Sequence, residues 1–280
     1  MQLVGGLGNQ MFISAMGWVT AASSQKTLVF DTSVFRRQDS RRFELGAFPK
    51  LSAVVQSRMA FGRPHRALDR ALAEFGVSTP GLFVQQGAFF DPRIDQIARA
   101  SRVRGYFQSW RYFADHESEV RSLFDLQRGT DLDSLLQAEV GDAFIAVHVR
   151  RGDYLKPAVA AFHGLCSSAY FTREIRNMRM ERPGLPVVCF TDSAADIGGE
   201  VVQACDFVVE GSRTRSPADD LVAMSRASAL VMSNSSYSWW AAYLGQRDDR
   251  PVVAPVPWLA SGYVDTESLL LPAWRLSDAR

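Results

Sequence analysis

The chain has 280 residues, 47% of them hydrophobic and 22% charged, which suits one large or two small domains with a sizeable core. Its 31 basic and 30 acidic residues leave a net charge of +1, which argues against nucleic acid and against a strongly acidic surface as partners. The three cysteines have no CxxC spacing and predict no disulfide framework. Together with the absence of a signal-peptide pattern, this indicates a cytoplasmic protein.

The first half of the chain predicts an α/β arrangement with long excursions between its elements. In chain order we predict a helix over Asn9–Ser23, a strand over Thr27–Asp31, an exposed basic loop over Arg36–Arg42, a helix over Ala60–Phe75, a strand over Val103–Phe107 and a helix over Trp110–Phe124.

The second half alternates apolar strands with helices. Strands are predicted over Ala143–Val149, Val187–Thr191, Phe207–Glu210, Leu230–Ser233 and Pro251–Val256, and helices over Ala169–Glu181, Pro217–Ala227 and Tyr237–Leu244. Because the strands are apolar throughout, we expect a parallel sheet covered by helices on both faces. We place the domain boundary near Gly129–Gly141, with an N-terminal domain over 1–137 and a C-terminal domain over 138–280.

A dense group of charged and polar side chains follows the apolar residues Phe144–Val147. This group contains His148, the adjacent Arg150 and Arg151, and Asp153. Ligands of open α/β folds lie just beyond the carboxyl ends of the strands, and guanidinium groups suit phosphate. The pattern favours an anionic, phosphate-bearing ligand over simple Arg–Asp pairing at the surface.

A glycine turn, Gly5-Gly6-Leu7-Gly8-Asn9-Gln10, comes near the start of the chain. Met11 stands where a dinucleotide fingerprint would have its third glycine, and no Gly-Lys-Ser/Thr follows, so neither nucleotide motif is present. Two interpretations are equally good at this point. The turn either lets a ligand approach the backbone or is a tight strand-to-helix connection with Asn9 as N-cap.

Three further segments have polar side chains next to predicted helices. At Asp192-Ser193, a helix N-cap at either residue is favoured over a contact from Asp192 to a guanine edge. The excess of hydroxyls in Ser233–Trp240 favours a second phosphate contact over plain capping. For Asp131-Leu132-Asp133, helix capping is favoured over a metal site. We treat His65, His116 and His163 as surface residues.

In this order, the motifs resemble the α-1,2-fucosyltransferase family, glycosyltransferase family 11. The matching segments are Gly5–Phe12, Gly105–Ser109 with Tyr112-Phe113, His148–Tyr154, Phe190–Asp192, Asp220-Leu221 with Met224-Ser225, and Ser233–Ala242. The resemblance implies a GT-B-like α/β fold with two Rossmann-type domains facing across a cleft. It also implies GDP-β-L-fucose as donor, inversion at the anomeric carbon, no required metal or other cofactor, and the 2-hydroxyl of a galactose-containing glycan as acceptor.

The resemblance also implies roles for individual residues. Arg150 would hold the β-phosphate, His148 would touch the nucleoside, and Asp192 would contact guanine. An aspartate pair is common where this chain has Asp192-Ser193, so only Asp192 carries over. The expected GDP-fucose-binding set is His148, Arg150, Asp192, Asn234, Ser235, Ser236, Gly6 and Gly8.

The expected catalytic set is Arg150, Asp153 and Asn9. Asn9 would reach the cleft from the acceptor side. Asp153 is the nearest obvious carboxylate to serve as the base that accepts the acceptor's proton. It could equally be held in an ion pair with Arg150 or Arg151.

Two other functions remain open at the level of sequence. One is a different GDP-fucose transferase, making an α-1,6 or a protein O-linked product; the other is a non-catalytic guanine-nucleotide or sugar-binding module. A lipid-linked acceptor would bring the protein into peripheral contact with the inner face of the membrane. The basic segments Arg36–Arg42 and Arg58–Arg70 fit such contact, although a solvated face is the commoner explanation.

Overall fold

The computed structural model describes residues 1–36, 41–52, 56–57, 77–79, 81–125, 130–211, 214–260 and 265–280. Contacts divide the chain into two compact units, Met1–Leu126 with Glu267–Leu269, and Gln127–Thr266 with Leu270–Arg280. The helix predicted over Ala60–Phe75 lies outside the described residues.

The division between the units comes earlier in the chain than residue 137, where the sequence analysis placed it. Helix Asp131–Val140 belongs to the second unit. Within that unit, a guanidinium nitrogen of Arg226 lies 2.9 Å from the carboxylate of Asp133.

The first unit contains short parallel strand pairs and several helices. Strand β1 (Val29–Phe30) pairs with β2 (Gln56–Ser57), and β3 (Leu82–Val84) pairs with β4 (Arg102–Arg104). The helices are α1 (Leu7–Ser23), α2 (Pro49–Ser52), α3 (Ile94–Arg99) and α4 (Glu117–Leu123), with 3₁₀ turns at Ser33–Arg36, Leu45–Ala47 and Trp110–His116.

The first residues of the chain join these strand pairs. The N–H of Gln2 donates to the carbonyl of Val103 at 3.1 Å, and the N–H of Leu3 donates to that of Asp31 at 3.1 Å. Because the pairs are parallel, the carboxyl ends of the strands meet at one edge. The glycine turn and the Gly105–Ser109 segment both follow this edge.

The second unit is built on a six-stranded parallel sheet. Its strands are β5 (Ile145–Val149), β6 (Val187–Thr191), β7 (Phe207–Glu210), β8 (Ala229–Val231), β9 (Val252–Val256) and β10 (Arg275–Asp278). The order across the sheet is β10-β9-β8-β5-β6-β7. Counted from β5, this is the 3-2-1-4-5-6 order of a Rossmann fold, in which the direction of winding reverses between the first and fourth strands.

Helices connect these strands, as the alternating pattern predicts. They are α6 (Pro157–His163), α7 (Ser168–Glu181), α8 (Gly199–Ala204), α9 (Pro217–Arg226) and α10 (Ser236–Leu244), and α5 (Asp131–Val140) precedes β5. The short α11 (Thr266–Leu269) follows β9, and its residues Glu267–Leu269 belong to the first unit. Every residue of β5 and β6 is buried, which explains their continuous apolar sequence. Side chains of Ser167, Ser216 and Ser235 cap α7, α9 and α10.

The strands and helices predicted in the second half are confirmed, with ends that shift by one or two residues. Strand β10 was not predicted, because its polar residues at the edge of the sheet carry no apolar pattern. In the first half, the strand predicted over Val103–Phe107 already ends at Arg104, and Phe107 has a positive φ of 53°. The predicted helix Trp110–Phe124 is a 3₁₀ segment followed by α4.

Within the part of the chain described here, we find no helix with the length and apolar character needed to cross a bilayer.

Candidate active site

The candidate site lies where β5 and β8 are neighbours in the sheet. These are the first and fourth strands of the second unit, and their Val147 and Val231 are register partners. Ligands of open α/β sheets bind outside the carboxyl ends of the strands at this point of reversal. The segments that follow the two strands are His148–Tyr154 and Ser233–Ser236, the two segments for which the sequence predicted phosphate contacts.

His148 is a buried, neutral imidazole at this edge. Its side chain is 3% exposed, its Nδ1 lies 2.8 Å from the hydroxyl oxygen of Ser233, and its ring centroid lies 5.4 Å from that of Tyr237. Burial, helped by the charge of Arg150, lowers the pKa of His148 to about 3. The ring therefore stays uncharged at neutral pH and contributes hydrogen bonds rather than charge.

Arg150 is a partly exposed cation held between carboxylates. Its Nη2 forms an ion pair with Asp153, and its Nη1 lies 3.0 Å from Oδ2 of Asp192. Burial acts to lower its pKa, but the charges of Asp192 and Asp153 outweigh this and raise it. The guanidinium also lies over the ring of Tyr154, 5.5 Å from its centroid. Arg150 is thus a fixed positive charge at the carboxyl end of β5.

Arg151 has a different role, although it is adjacent in sequence. Its side chain is buried, and its guanidinium donates to the carbonyls of Asp196 and Arg150, each at 3.2 Å. The same group lies over the ring of Phe171, 5.6 Å from its centroid. Arg151 therefore holds the loop to the body of the unit.

The carboxylate of Asp192 braces the loop that follows β5. Its Oδ1 accepts the N–H of Arg151 at 2.8 Å, and its Oδ2 faces Arg150. A Cβ atom at Gly152 would overlap this carboxylate, so the loop requires a residue without a side chain here. Of the two residues favoured for the N-cap of the next 3₁₀ turn, Ser193 occupies that position, although its side chain makes no capping hydrogen bond, and Asp192 does not occupy it.

The hydroxyl-rich segment after β8 is largely engaged in internal hydrogen bonds. The Oγ of Ser235 accepts the N–H of Tyr237 at 3.3 Å and caps α10. The side-chain amide of Asn234 donates to the carbonyls of His163 at 2.8 Å and Trp258 at 3.1 Å. Asn234 therefore braces neighbouring loops. Ser236 is half-buried at the first position of α10, where a helix N-terminus favours an anion.

The glycine turn lies in the first unit, with Asn9, Gly6 and Gly8. Helix α1 begins at Leu7, Gly6 occupies its N-cap, and no side chain caps it, so the capping alternative for Asn9 is wrong. The Oδ1 of Asn9 instead accepts a hydrogen bond from Nε2 of Gln108 at 2.8 Å. Gly8 is buried in the first turn of α1.

His163 was treated as a surface residue, and the structure corrects this. Its ring stacks on Tyr154 with centroids 4.7 Å apart and planes inclined by 16°. Burial lowers the pKa of His163. The charge of Asp153 acts to raise this pKa, and the charge of Arg150 acts to lower it. A lone histidine gives no sequence signal of this placement. His116 is partly exposed, with its Nδ1 3.8 Å from Oε1 of Glu119, and His65 lies outside the described residues.

The Asp131-Leu132-Asp133 segment is used for helix capping, as favoured. Thr130 and Asp133 form a reciprocal capping box at the start of α5, and Asp133 also pairs with Arg226. Across the residues that the structure covers, no cluster of three or more His, Cys, Asp or Glu side chains is arranged to hold a metal ion.

The structure thus gathers most of the predicted donor-binding residues at one sheet edge. His148, Arg150, Asp153, Asp192 and the segment after β8 lie together in the second unit. A fixed guanidinium beside a helix N-terminus is suited to binding a phosphate group. The other predicted residues, Gly6, Gly8 and Asn9, lie at the start of α1 in the first unit.

Comparison with known proteins adds independent information. Residues 101–277 match the family model described as "Glycosyl transferase family 11". The chain is 28% identical to an Escherichia coli alpha-1,2-colitosyltransferase over 92% of this chain and 91% of that protein. It is 27% identical to the Escherichia coli O-antigen biosynthesis glycosyltransferase WbnK over 97% and 98%, respectively. It is 28% identical to galactoside alpha-(1,2)-fucosyltransferase 1 of Leontocebus fuscicollis, over 52% of this chain and 44% of that protein.

A solved structure of a mutant Arabidopsis thaliana FUT1 in complex with GDP resembles this chain with a TM-score of 0.50. The two share 11% identity over 90% of this chain and 68% of that one. This likeness concerns the fold alone. With the parallel six-stranded sheet, it confirms the predicted GT-B-like α/β class.

Proposed function

Because the chain belongs to glycosyl transferase family 11, we propose that it transfers L-fucose from GDP-β-L-fucose, with inversion, to the 2-hydroxyl of a galactoside. Two relatives from different organisms are named as α-1,2 transferases, which supports the linkage. One of them is named for a galactoside acceptor and for fucose, which supports the acceptor and the donor sugar.

The observation that carries the proposal is the charge and position of Arg150. When the anomeric carbon separates from GDP, negative charge collects on the β-phosphate. Arg150 stands at the carboxyl end of β5 with its cation maintained by Asp192 and Asp153. A preorganised cation at the point where charge develops lowers the barrier to the reaction.

Recognition of the donor follows from the neighbours of Arg150. We assign Ser235, Ser236 and the N-terminus of α10 to the diphosphate, and Asn234 to the support of that segment. His148 contacts the nucleoside from the end of β5. Asp192 is assigned to guanine by the family resemblance, and its contacts in the structure give it a second role, which is to hold Arg150 in place.

The proton of the acceptor hydroxyl needs a destination. As the acceptor oxygen forms its bond to the anomeric carbon and the bond to the β-phosphate oxygen breaks, we propose that the carboxylate of Asp153 takes that proton. Its position after β5, where it pairs with Arg150, makes it the carboxylate proposed for this role. We assign Asn9, Gly6 and Gly8, in the first unit, to the sugars.

We propose that the reaction needs no metal or other cofactor, because Arg150 and the α10 N-terminus supply the positive charge that a divalent cation would otherwise provide. We place the reaction in the cytoplasm, at the inner face of the membrane where the acceptor is lipid-linked. Co-sedimentation of the protein with anionic vesicles, with and without a lipid-linked galactoside, tests the membrane contact.

The deciding experiment incubates the protein with GDP-fucose and a panel of galactosides and determines the product linkage by NMR. Arg150→Ala should lower turnover by on the order of 10²–10³. Arg179→Ala, the same change at an exposed arginine paired with Asp206 in the same unit, is the matched control and should leave turnover unchanged. Activity of Arg150→Ala within a few fold of wild type contradicts the assignment.

The other functions give different results in the same assay. An α-1,6 or protein O-linked product identifies a different fucosyltransferase. A rise in melting temperature with GDP, without transfer to any acceptor or to water, indicates a non-catalytic binding module. The likeness to a colitosyltransferase over most of both chains makes a nucleotide-activated colitose the second donor to test.

A further inference from the structure

Gln85 lies directly after β3 in the first unit, buried to 6% exposure, and binds the segment that follows β4. We propose that Gln85 is a positioning residue. Its amide fixes Tyr106–Gln108 so that Gln108 and Asn9 together contact the hydroxyls of the acceptor sugar. The acceptor part of this inference rests on the proposed function.

The first contact is between the Gln85 side chain and the backbone beyond β4. Its Oε1 accepts the N–H of Tyr106 at 2.8 Å and that of Phe107 at 2.9 Å. The approach is close, because a Cβ atom at Gly105 would lie 2.5 Å from both Cβ and Oε1 of Gln85. Gly105 therefore leaves the space that the amide needs.

The second observation is the conformation of Phe107. Its φ of 53° is in the left-handed region, which L residues rarely adopt. Such a conformation persists only where its surroundings enforce it. Here the N–H is bound by Gln85, and the ring is fully buried against Tyr112 in an edge-on contact with centroids 5.5 Å apart.

The nitrogen of the Gln85 side chain is also fixed. Nε2 donates to the carbonyl of Phe89 and lies 3.3 Å from the hydroxyl of Tyr112. That hydroxyl donates to the same carbonyl at 3.1 Å and accepts the N–H of Asp91 at 2.6 Å. Only a residue with an acceptor at one end and a donor at the other satisfies both sides, so the amide is specified and not merely tolerated.

The consequence is the placement of Gln108. Immediately after the reversal at Phe107, the backbone N–H of Gln108 donates to the carbonyl of Ala88 at 2.9 Å, and its side chain donates to Asn9 at 2.8 Å. The two amides stand at the carboxyl edge of the first unit's strands, where ligands of α/β folds bind. Each offers both donors and acceptors, the combination that sugar hydroxyls require.

The test compares Gln85→Met with Leu82→Ala. Met has a similar length but no amide, whereas Leu82→Ala removes buried apolar atoms from β3 without touching the amide network. We expect Gln85→Met to raise the KM for the acceptor at least tenfold, while the KM for GDP-fucose and its acceptor-free hydrolysis change less than twofold. Gln108→Ala should reproduce the acceptor effect. Leu82→Ala should leave the acceptor KM unchanged.

Hydrogen exchange provides a readout that needs no activity. The amides of Tyr106 and Phe107 should exchange at least tenfold faster in Gln85→Met than in wild type, and faster than in Leu82→Ala. Unchanged exchange, or an equal rise in acceptor KM in Leu82→Ala, overturns the positioning role. A different result separates the two proposals. If the variants show the expected exchange rates but the wild-type protein transfers no sugar, the positioning role stands, and the proposed function and the acceptor contact are overturned.

Discussion

The Nδ1 atom of His148 lies 2.8 Å from the hydroxyl oxygen of Ser233, so a buried hydrogen bond joins the carboxyl ends of β5 and β8. Both groups are almost fully buried, at 3% and 1% exposure. The contact fixes the two segments that carry the proposed phosphate contacts, and its removal has measurable consequences.

Replacing Ser233 with Ala leaves a buried imidazole nitrogen without its partner. We expect the free energy of unfolding to fall by about 1–3 kcal/mol, the usual cost of an unsatisfied buried polar group. Urea denaturation measures it. Ser23→Ala, at the exposed end of α1, is the matched control and should change it by less than about 0.5 kcal/mol. An equal effect in both variants would contradict this prediction.

The low pKa of His148 makes stability depend on pH. Its pKa is about 3 in the folded protein, compared with 6.5 for an unperturbed histidine. Between these values the unfolded chain binds a proton that the folded chain excludes, so stability falls as pH is lowered through this window. The slope from this residue approaches about 1.4 kcal/mol per pH unit. His148→Gln should remove it, and urea curves at pH 6.5 and 4.5 measure the difference. If the free energy of unfolding depends on pH in the same way in wild type and in His148→Gln, this prediction is wrong.

Gly152 tests the close contact with Asp192. Its φ is +26°, and a Cβ atom would overlap the carboxylate. Gly152→Ala should therefore displace Asp192 from Arg150, lower stability by about 1–3 kcal/mol and abolish most turnover. Gly184→Ala is the control, because its φ is +80° but nothing lies within 4 Å of the new Cβ. It should cost about 1 kcal/mol and leave activity intact. Full activity in Gly152→Ala would show that the contact is dispensable.

The two carboxylates that hold Arg150 should differ in their kinetic roles. Asp153→Asn should lower kcat by roughly 10²–10⁴ and remove the acid limb of the pH–rate profile, because a base is lost. Asp192→Asn keeps an oxygen for the N–H of Arg151 and should lower kcat/KM while retaining that limb. A wild-type acid limb in Asp153→Asn would exclude Asp153 as the base.

Chelation tests the proposed role of Arg150 as the source of positive charge. In excess EDTA, turnover should remain within twofold of that measured with added Mg²⁺ or Mn²⁺. A loss that is restored by adding one of these ions would refute metal-independent transfer.

The parallel sheet of the second unit could be predicted from the sequence because its strands are buried on both faces and therefore uniformly apolar. Strand β10 could not, since Arg275–Asp278 lies at an edge and is mostly exposed. The reversal at Phe107 was also missed, because its φ is imposed by Gln85, a residue far from it in sequence.

For the site, the sequence predicted that polar residues cluster after β5 and β8. It did not predict which of them face the site and which hold the loops in place. Arg150 and Arg151 are chemically alike, and only the fold turns one guanidinium toward carboxylates and the other toward backbone carbonyls. Asn234 looked like a ligand contact because its bonding partners, the carbonyls of His163 and Trp258, have no signature in the sequence.

The hydrogen bond between His148 and Ser233 connects residues 85 positions apart in the chain. Since residues after both β5 and β8 build the candidate site, the site exists only when the chain between these strands has closed back on itself. Closing so long a loop costs entropy that local contacts do not repay. A nucleotide sugar can therefore stabilise the finished sheet but none of its fragments, and ligand binding reports on the completion of folding in the whole unit.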